Sequence, residues 1–115
     1  METIERLSAA DVSACLKAIS DPTRLLMMKL MEDKELCVCQ FVEMFETSQP
    51  AISQHLKRLK QTGLVKEEKR GQWRFYSIDQ TSAYAKLVHE VLNNIEDNDP
   101  QLMQLKEKEM PVNCC

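Results

Sequence analysis

Only two glycines, Gly63 and Gly71, serve a chain of 115 residues. Glycine is the usual residue for left-handed helix ends and tight hairpin turns. A chain with two of them can make few such turns, and the long Ala/Leu/Glu/Lys/Met-containing stretches between them favour helix. The expected class is therefore mostly α, in the α+β sense, with β structure confined to the neighbourhood of those glycines. A 43% hydrophobic and 29% charged composition suits one compact domain of this length. No apolar run approaches the ~18 residues of a membrane span. The segment Met1-Glu2-Thr3-Ile4-Glu5-Arg6 lacks the basic-then-apolar layout of a signal peptide. The expectation is a cytoplasmic protein with no membrane partner.

Periodicity divides the chain. Val12, Cys15, Leu16 and Ile19 recur at i, i+3, i+4, i+7 and predict an amphipathic helix over 9–19. Asp21-Pro22 is a helix start, with Asp21 as N-cap and Pro22 in the first position, and the apolar content of 25–31 points to a buried helix. A third helix is expected over 35–45. Ser48 and Pro50 then open a fourth over 49–62, with Ile52, Leu56 and Leu59 on one stripe and Gly63 as terminator. Residues 64–70 and 73–78 read as a two-stranded hairpin around Gly71-Gln72. Tyr84, Leu87, Val88, Val91, Leu92 and Ile95 predict a helix over 81–95 whose wide stripe needs a partner. The boundary expected is a core of residues 1–96 and a flexible tail of 97–115 ending in Cys114-Cys115, with at most a weak helix over 101–110.

Charge is uneven along this plan. The protein carries −3 overall, yet residues 48–76 hold seven basic side chains (Lys57, Arg58, Lys60, Lys66, Lys69, Arg70, Arg74) against two acidic ones (Glu67, Glu68). This stretch is thus +5, and the remainder, eight basic against sixteen acidic, is −8. A short helix, a tight turn, a second helix faced with Ser, Gln, His, Lys and Arg, and a basic hairpin is the order of a winged helix-turn-helix. Ser48, Gln49, Ser53 and Gln54 suit base edges, Lys57, Arg58 and Lys60 suit phosphates, and Arg70 and Arg74 would set the wing on the duplex. His55 lies within this face and reads as part of the DNA surface. His89 has no second histidine near it and reads as a surface or interface residue. A solvated helix face is the alternative for the charge run alone; the adjoining hairpin argues for double-stranded DNA.

Five cysteines remain: Cys15, the pair Cys37 and Cys39, and the pair Cys114 and Cys115. An odd number in a reducing compartment does not suit a closed disulfide framework. Thiolates select soft ions. Cys15 sits on a buried stripe and reads first as a small hydrophobe. At ~100° per residue, Cys37 and Cys39 on a helix would point about 200° apart, so closing on one ion would require local unwinding. Trivalent arsenic or antimony favours three sulfurs; Cd(II) or Pb(II) could gather four; and a thiol redox switch needs no ion. A disulfide oxidoreductase would need Cys-x-x-Cys, which is absent, and no nucleophile, base and orienting group converge to make an enzyme. No organic cofactor is expected.

Asp21-Pro22-Thr23-Arg24, Glu35-Leu36-Cys37-Val38-Cys39, Ser48-Gln49-Pro50-Ala51-Ile52-Ser53-Gln54-His55-Leu56, Leu64-Val65 and the stretch 71–76 together resemble the ArsR/SmtB family of metal-sensing repressors, over about residues 9–95. The Glu-Leu-Cys-Val-Cys element is similar to the metal box of arsenite- and cadmium-responsive members. The resemblance implies a homodimer paired through the first and last core helices, bound to an inverted-repeat operator and released by an inducer such as As(III). Two departures stand out. Val42 occupies the position where some arsenite sensors carry a third cysteine, so a third thiolate must come from Cys15, Cys114 or Cys115. Gln80, Ser82 and Asn93 stand where the family's zinc ligands would be, with only Glu96 suitable, which disfavours a zinc sensor of that type.

Overall fold

The computed structural model describes residues 6–111. Six helices and three short strands follow in the order α1 (Ala9–Ser20), α2 (Pro22–Leu30), β1 (Leu36–Cys37), α3 (Val38–Phe45), α4 (Gln49–Thr62), β2 (Val65–Arg70), β3 (Trp73–Ile78), α5 (Ala85–Leu92) and α6 (Pro100–Glu107). Local chemistry places most of the boundaries. The Ser8 hydroxyl accepts from the Asp11 N–H, Asp21 from Arg24, Ser48 from Ala51 and Asp99 from Leu102, each satisfying an otherwise orphaned donor of a first turn. Pro22, Pro50 and Pro100 all fall in first turns. Gly63 ends α4 at φ +87° and Gly71 turns the hairpin at φ +60°, the left-handed region in which a side chain is strained.

Three expectations need correcting. The helix expected from residue 35 starts only at Val38. Leu36 and Cys37 instead form a strand whose partners are Tyr76 and Phe75, so the sheet has three strands in the order β1-β3-β2 rather than the two of a simple hairpin. The helix expected over 81–95 is confined to Ala85–Leu92. Before it, Asp79 accepts from the Thr81 N–H and hydroxyl at 3.0 and 2.6 Å, and the Ser82 hydroxyl accepts from the Tyr84 N–H; such local side-chain bonds offer the backbone an alternative to the helix. Finally, the stretch expected to be tail contains α6, which packs on α2 and α3 with Leu102 fully buried. Cys114 and Cys115 lie outside the described residues.

The core runs between α1, α2 and α4 and continues beneath the sheet. Met27, Met28, Met31 and Met44 share it with Ile52, Leu56 and Leu59, all fully or nearly fully buried. Unbranched thioethers fill irregular gaps between crossing helices well. Lys29 is a buried cation in this interior. Its Nζ donates to Glu32 at 2.8 Å and to the Leu92 carbonyl at 3.2 Å, tying α2 to the negative end of the α5 dipole.

Candidate nucleic-acid interface and thiol site

The buried stripe of α4 leaves two polar flanks. Gln49, Ser53, Lys57 and Lys60 recur at helical spacing on one of them and line a cleft of about 1070 Å³ whose opposite wall is the sheet side of Gln72, Trp73, Arg74 and Tyr76. The other flank carries Gln54, His55 and Arg58 and faces Arg24 across a second groove. Ser53, Gln54, Lys57, Arg58 and Lys60 are all exposed, as a reading helix requires. The Ser48 hydroxyl is engaged as the cap of α4.

Sequence reasoning assigned no role to Arg24, and the structure gives it one. Its Nε donates to the Ala18 carbonyl at 2.6 Å, and its Nη1 lies 3.3 Å from Nδ1 of His55. The Asp21-Pro22-Thr23-Arg24 segment therefore caps α2 with Asp21 and clamps α1 and α4 with Arg24. The Arg24 N–H, donated to the Asp21 carboxylate, is the main reason that carboxyl titrates below its usual range. His55, expected on the DNA surface, is half-buried and meets Arg24 in the second groove beside Gln54 and Arg58.

The basic segment is less free than its charge count implies. Arg70 forks onto Glu35 at 2.5 and 2.9 Å and reaches Glu68, while its guanidinium stacks over the Phe75 ring at 4.7 Å. Lys60 pairs with Glu67 at 3.0 Å, and Arg74 lies 3.8 Å from the same carboxylate. Tyr76 also donates to Glu67, and its hydroxyl is pushed up to about 12, by burial first and by that carboxylate second. Among the described residues, Lys57, Arg58 and Lys69 form no ion pair and are exposed to a phosphate, while Lys66 forms none but shares its field with Glu68 and Asp79. The two wing arginines singled out from sequence are thus already engaged with carboxylates, because β1 and β2 bring Glu35, Glu67 and Glu68 to them.

The thiol pair departs most from expectation. Cys37 is not on the helix: its backbone is extended (φ −94°, ψ 166°) at the N-cap of α3. Its Sγ lies 2.8 Å from that of Cys39, so the two sulfurs already face one point and no unwinding of α3 is needed to bring them there. Both line the cleft shared with Gln49, Ser53 and Lys57. The backbone N–H of Cys37 donates to Oε1 of Gln40 at 2.9 Å, one half of a capping box. Gln40 carried no expected role; its place three residues after an N-cap was the available signal. Cys15 belongs to the core, fully buried, and burial pushes its thiol above the ordinary range. Among the described residues no group of three His, Cys, Asp or Glu side chains converges, so Cys15 does not join the pair within one chain.

Residues 21–67, from the α2 cap through α4 into β2, match the family model of the bacterial regulatory protein, arsR family. Over 94 residues the chain is 43% identical to an uncharacterised HTH-type transcriptional regulator of Methanocaldococcus jannaschii, covering 79% of this chain and 100% of that one. It is 36% identical over 92 residues to the arsenical resistance operon repressor of Staphylococcus xylosus, covering 80% of each. Among solved structures, reduced HlyU from Vibrio cholerae superposes with a TM-score of 0.66 at 32% identity, covering 74% of this chain and 88% of that one. The homodimeric winged helix-turn-helix DNA-binding domain of Mb0332 from Mycobacterium bovis does so with a TM-score of 0.61 at 26% identity, covering 73% and 80%.

Proposed function

The chain belongs to the arsR family of bacterial regulatory proteins, and from that premise we propose that it is a homodimeric repressor that leaves its operator when As(III), or Sb(III), binds its cysteine thiolates. It is a transcriptional regulator and not an enzyme. The observation that carries the inducer reading is the 2.8 Å separation of the Cys37 and Cys39 sulfurs on the wall of the reading-helix cleft. Two converged sulfurs suit a soft, thiophilic ion, and the arsenical resistance repressor among its relatives agrees with that class.

Cys37 is well placed to transmit ligation. It pairs with Phe75 in the wing strand and caps α3, the helix joined by the turn at Glu46 and Thr47 to the reading helix. Any displacement of its backbone therefore moves wing and reading head together. A dimer reading two half-sites about one DNA turn apart loses affinity when either head rotates. Bound As(III) would supply a centre that draws three sulfurs into one pyramid; inducer and DNA then oppose each other by reciprocal linkage.

For the third sulfur we favour Cys114 or Cys115. Cys15 is sealed in the core with its thiol held protonated. The Met110 carbonyl accepts from Gln40 beside the start of α3, and at ~3.5 Å per residue Cys114, four residues on, and Cys115, five on, are within a chain reach of up to ~14 and ~17 Å. On DNA, Gln49, Ser53 and Gln54 face base edges, Lys57, Arg58 and Lys60 the phosphates, and Arg70 and Arg74 reach the backbone after exchanging their carboxylate partners for it. Titrating the reduced protein with arsenite, antimonite, cadmium and zinc, followed by absorbance and by anisotropy of labelled upstream DNA, tests the reading. Arsenite should bind once per thiol set and release the DNA; release by zinc alone, or none by any ion, would overturn it.

A further inference from the structure

The side chain of Gln40 is buried, with 5% of its surface exposed, and both its ends are committed. Oε1 accepts from the Cys37 N–H at 2.9 Å, and Nε2 donates to the Met110 carbonyl at 2.8 Å. One amide thus spans the backbone under a thiol and the end of the C-terminal segment. Two ion pairs fasten the same segment around α3: Lys34 to Glu109 at 2.5 Å and Lys108 to Glu46 at 3.2 Å. Leu102, fully buried where α6 packs on α2 and α3, anchors its beginning. The ion pairs are exposed and contribute little each. The amide is different: at its buried Cys37 end a broken bond leaves a donor and an acceptor without water to replace it. Its Met110 end is part-buried, so that the side-chain Nε2, 5% exposed with the rest of Gln40, depends on the arm for its partner.

We propose that Gln40 is a positioning residue that links the state of the thiol pair to the docking of the C-terminal arm, residues 100–110. A ligand that shifts the Cys37 backbone shifts the Oε1 partner and, through one rigid amide plane, the donor that holds Met110. By reciprocity, docking of the arm favours the cap geometry in which Cys37 faces Cys39. The inference rests on the inducer reading above for the identity of the ligand, but the Cys37–Gln40–Met110 bridge is present without one.

Two substitutions separate the halves. Gln40→Glu keeps an acceptor for the Cys37 N–H but sets a carboxylate oxygen against the Met110 carbonyl. Gln40→Met keeps the volume and removes both bonds. Amide hydrogen exchange on the ligand-free, reduced protein should be about tenfold faster over 100–110 in Gln40→Glu, with α3 and α4 unchanged. In Gln40→Met the start of α3 should loosen as well. On adding arsenite, exchange over 100–110 should change in the native chain and no longer change in Gln40→Glu, whose arsenite affinity should drop about tenfold while ligand-free DNA affinity stays within twofold. A purely structural glutamine would alter global unfolding without moving the arsenite affinity or uncoupling the arm, and that outcome overturns the proposal. Unchanged exchange over 100–110 in both variants does so too. If the native protein binds no arsenite, the inducer reading fails separately, and the ligand-free exchange still decides whether Gln40 couples arm and cap.

Discussion

Cys37 stands where three demands meet: a strand partner for Phe75, the N-cap of α3 and a sulfur facing Cys39. Serine is the better N-cap of the two residue types. Cys37→Ser should therefore keep the fold, and with Cys39→Ser it should hold DNA affinity within about threefold while abolishing release by arsenite, as read by anisotropy. Loss of DNA binding by the ligand-free variants would make the pair a packing feature. Cys15 supplies the contrast. Cys15→Ala should leave the arsenite response intact, whereas Cys15→Ser buries a hydroxyl and should cost about 1–3 kcal/mol in denaturant unfolding. Tyr76 gives a pH signature. Its ionisation is pushed up to about 12 in the fold, from an ordinary value near ~10, so its contribution is complete below pH ~10 and fades as pH rises towards 12. Tyr76→Phe should be less stable by about 1 kcal/mol at neutral pH, and the gap should close across that alkaline window.

Among the elements, α4 presents Ser53, Gln54, Lys57 and Arg58 as exposed side chains outside any ion pair among the described residues. Replacing Lys57 or Arg58 by Ala should weaken binding to every duplex and lower the salt slope of the dimer by about two, one phosphate contact per protomer. Lys60→Ala should do less, since Glu67 already shares that charge. Gln54→Ala should change sequence preference more than affinity. Helix α6 makes a stability prediction that a tail would not. Leu102→Ala removes a fully buried side chain and should cost about 2–5 kcal/mol by chemical denaturation; a negligible cost would mean α6 does not stay docked in solution.

At the scale of the whole molecule, the single chain leaves apolar surface that its own core does not cover. Leu16 on α1 is 45% exposed, and Leu87, Val91 and Ile95, on or just past α5, are only partly buried. The Tyr84 ring lines the groove between the α1 and α4 flanks beside Ala10, Ser13 and Ala14. A second copy laid across α1 and α5 would cover these faces, which is why dimerisation belongs with the proposed function. Leu16→Glu with Val91→Glu should leave the monomer folded, shift sedimentation from dimer to monomer and remove operator binding. A double variant that still sediments as a dimer would place the interface elsewhere.

What the sequence determined by itself is what local chemistry decides. Helix α4 begins and ends where Ser48, Pro50, the Ile52–Leu56–Leu59 stripe and Gly63 require, because caps, prolines and glycines act within a few residues. The order of α1 to α4, the hairpin and α5, the turn at Gly71 and, from its place on an apolar stripe, the burial of Cys15 were legible as well. Tertiary structure decided whatever depends on a distant partner. Leu36 and Cys37 become a strand only because β3 lies beside them, which moves Cys37 off the helix and turns its sulfur towards Cys39. Arg70 is bound to Glu35 across the sheet, and residues 100–107 dock as a helix because α2 and α3 present an apolar seat. A periodic pattern reports which side of a segment is apolar; it does not report which remote backbone or carboxylate folding will bring against it, and the thiol site is built from such encounters.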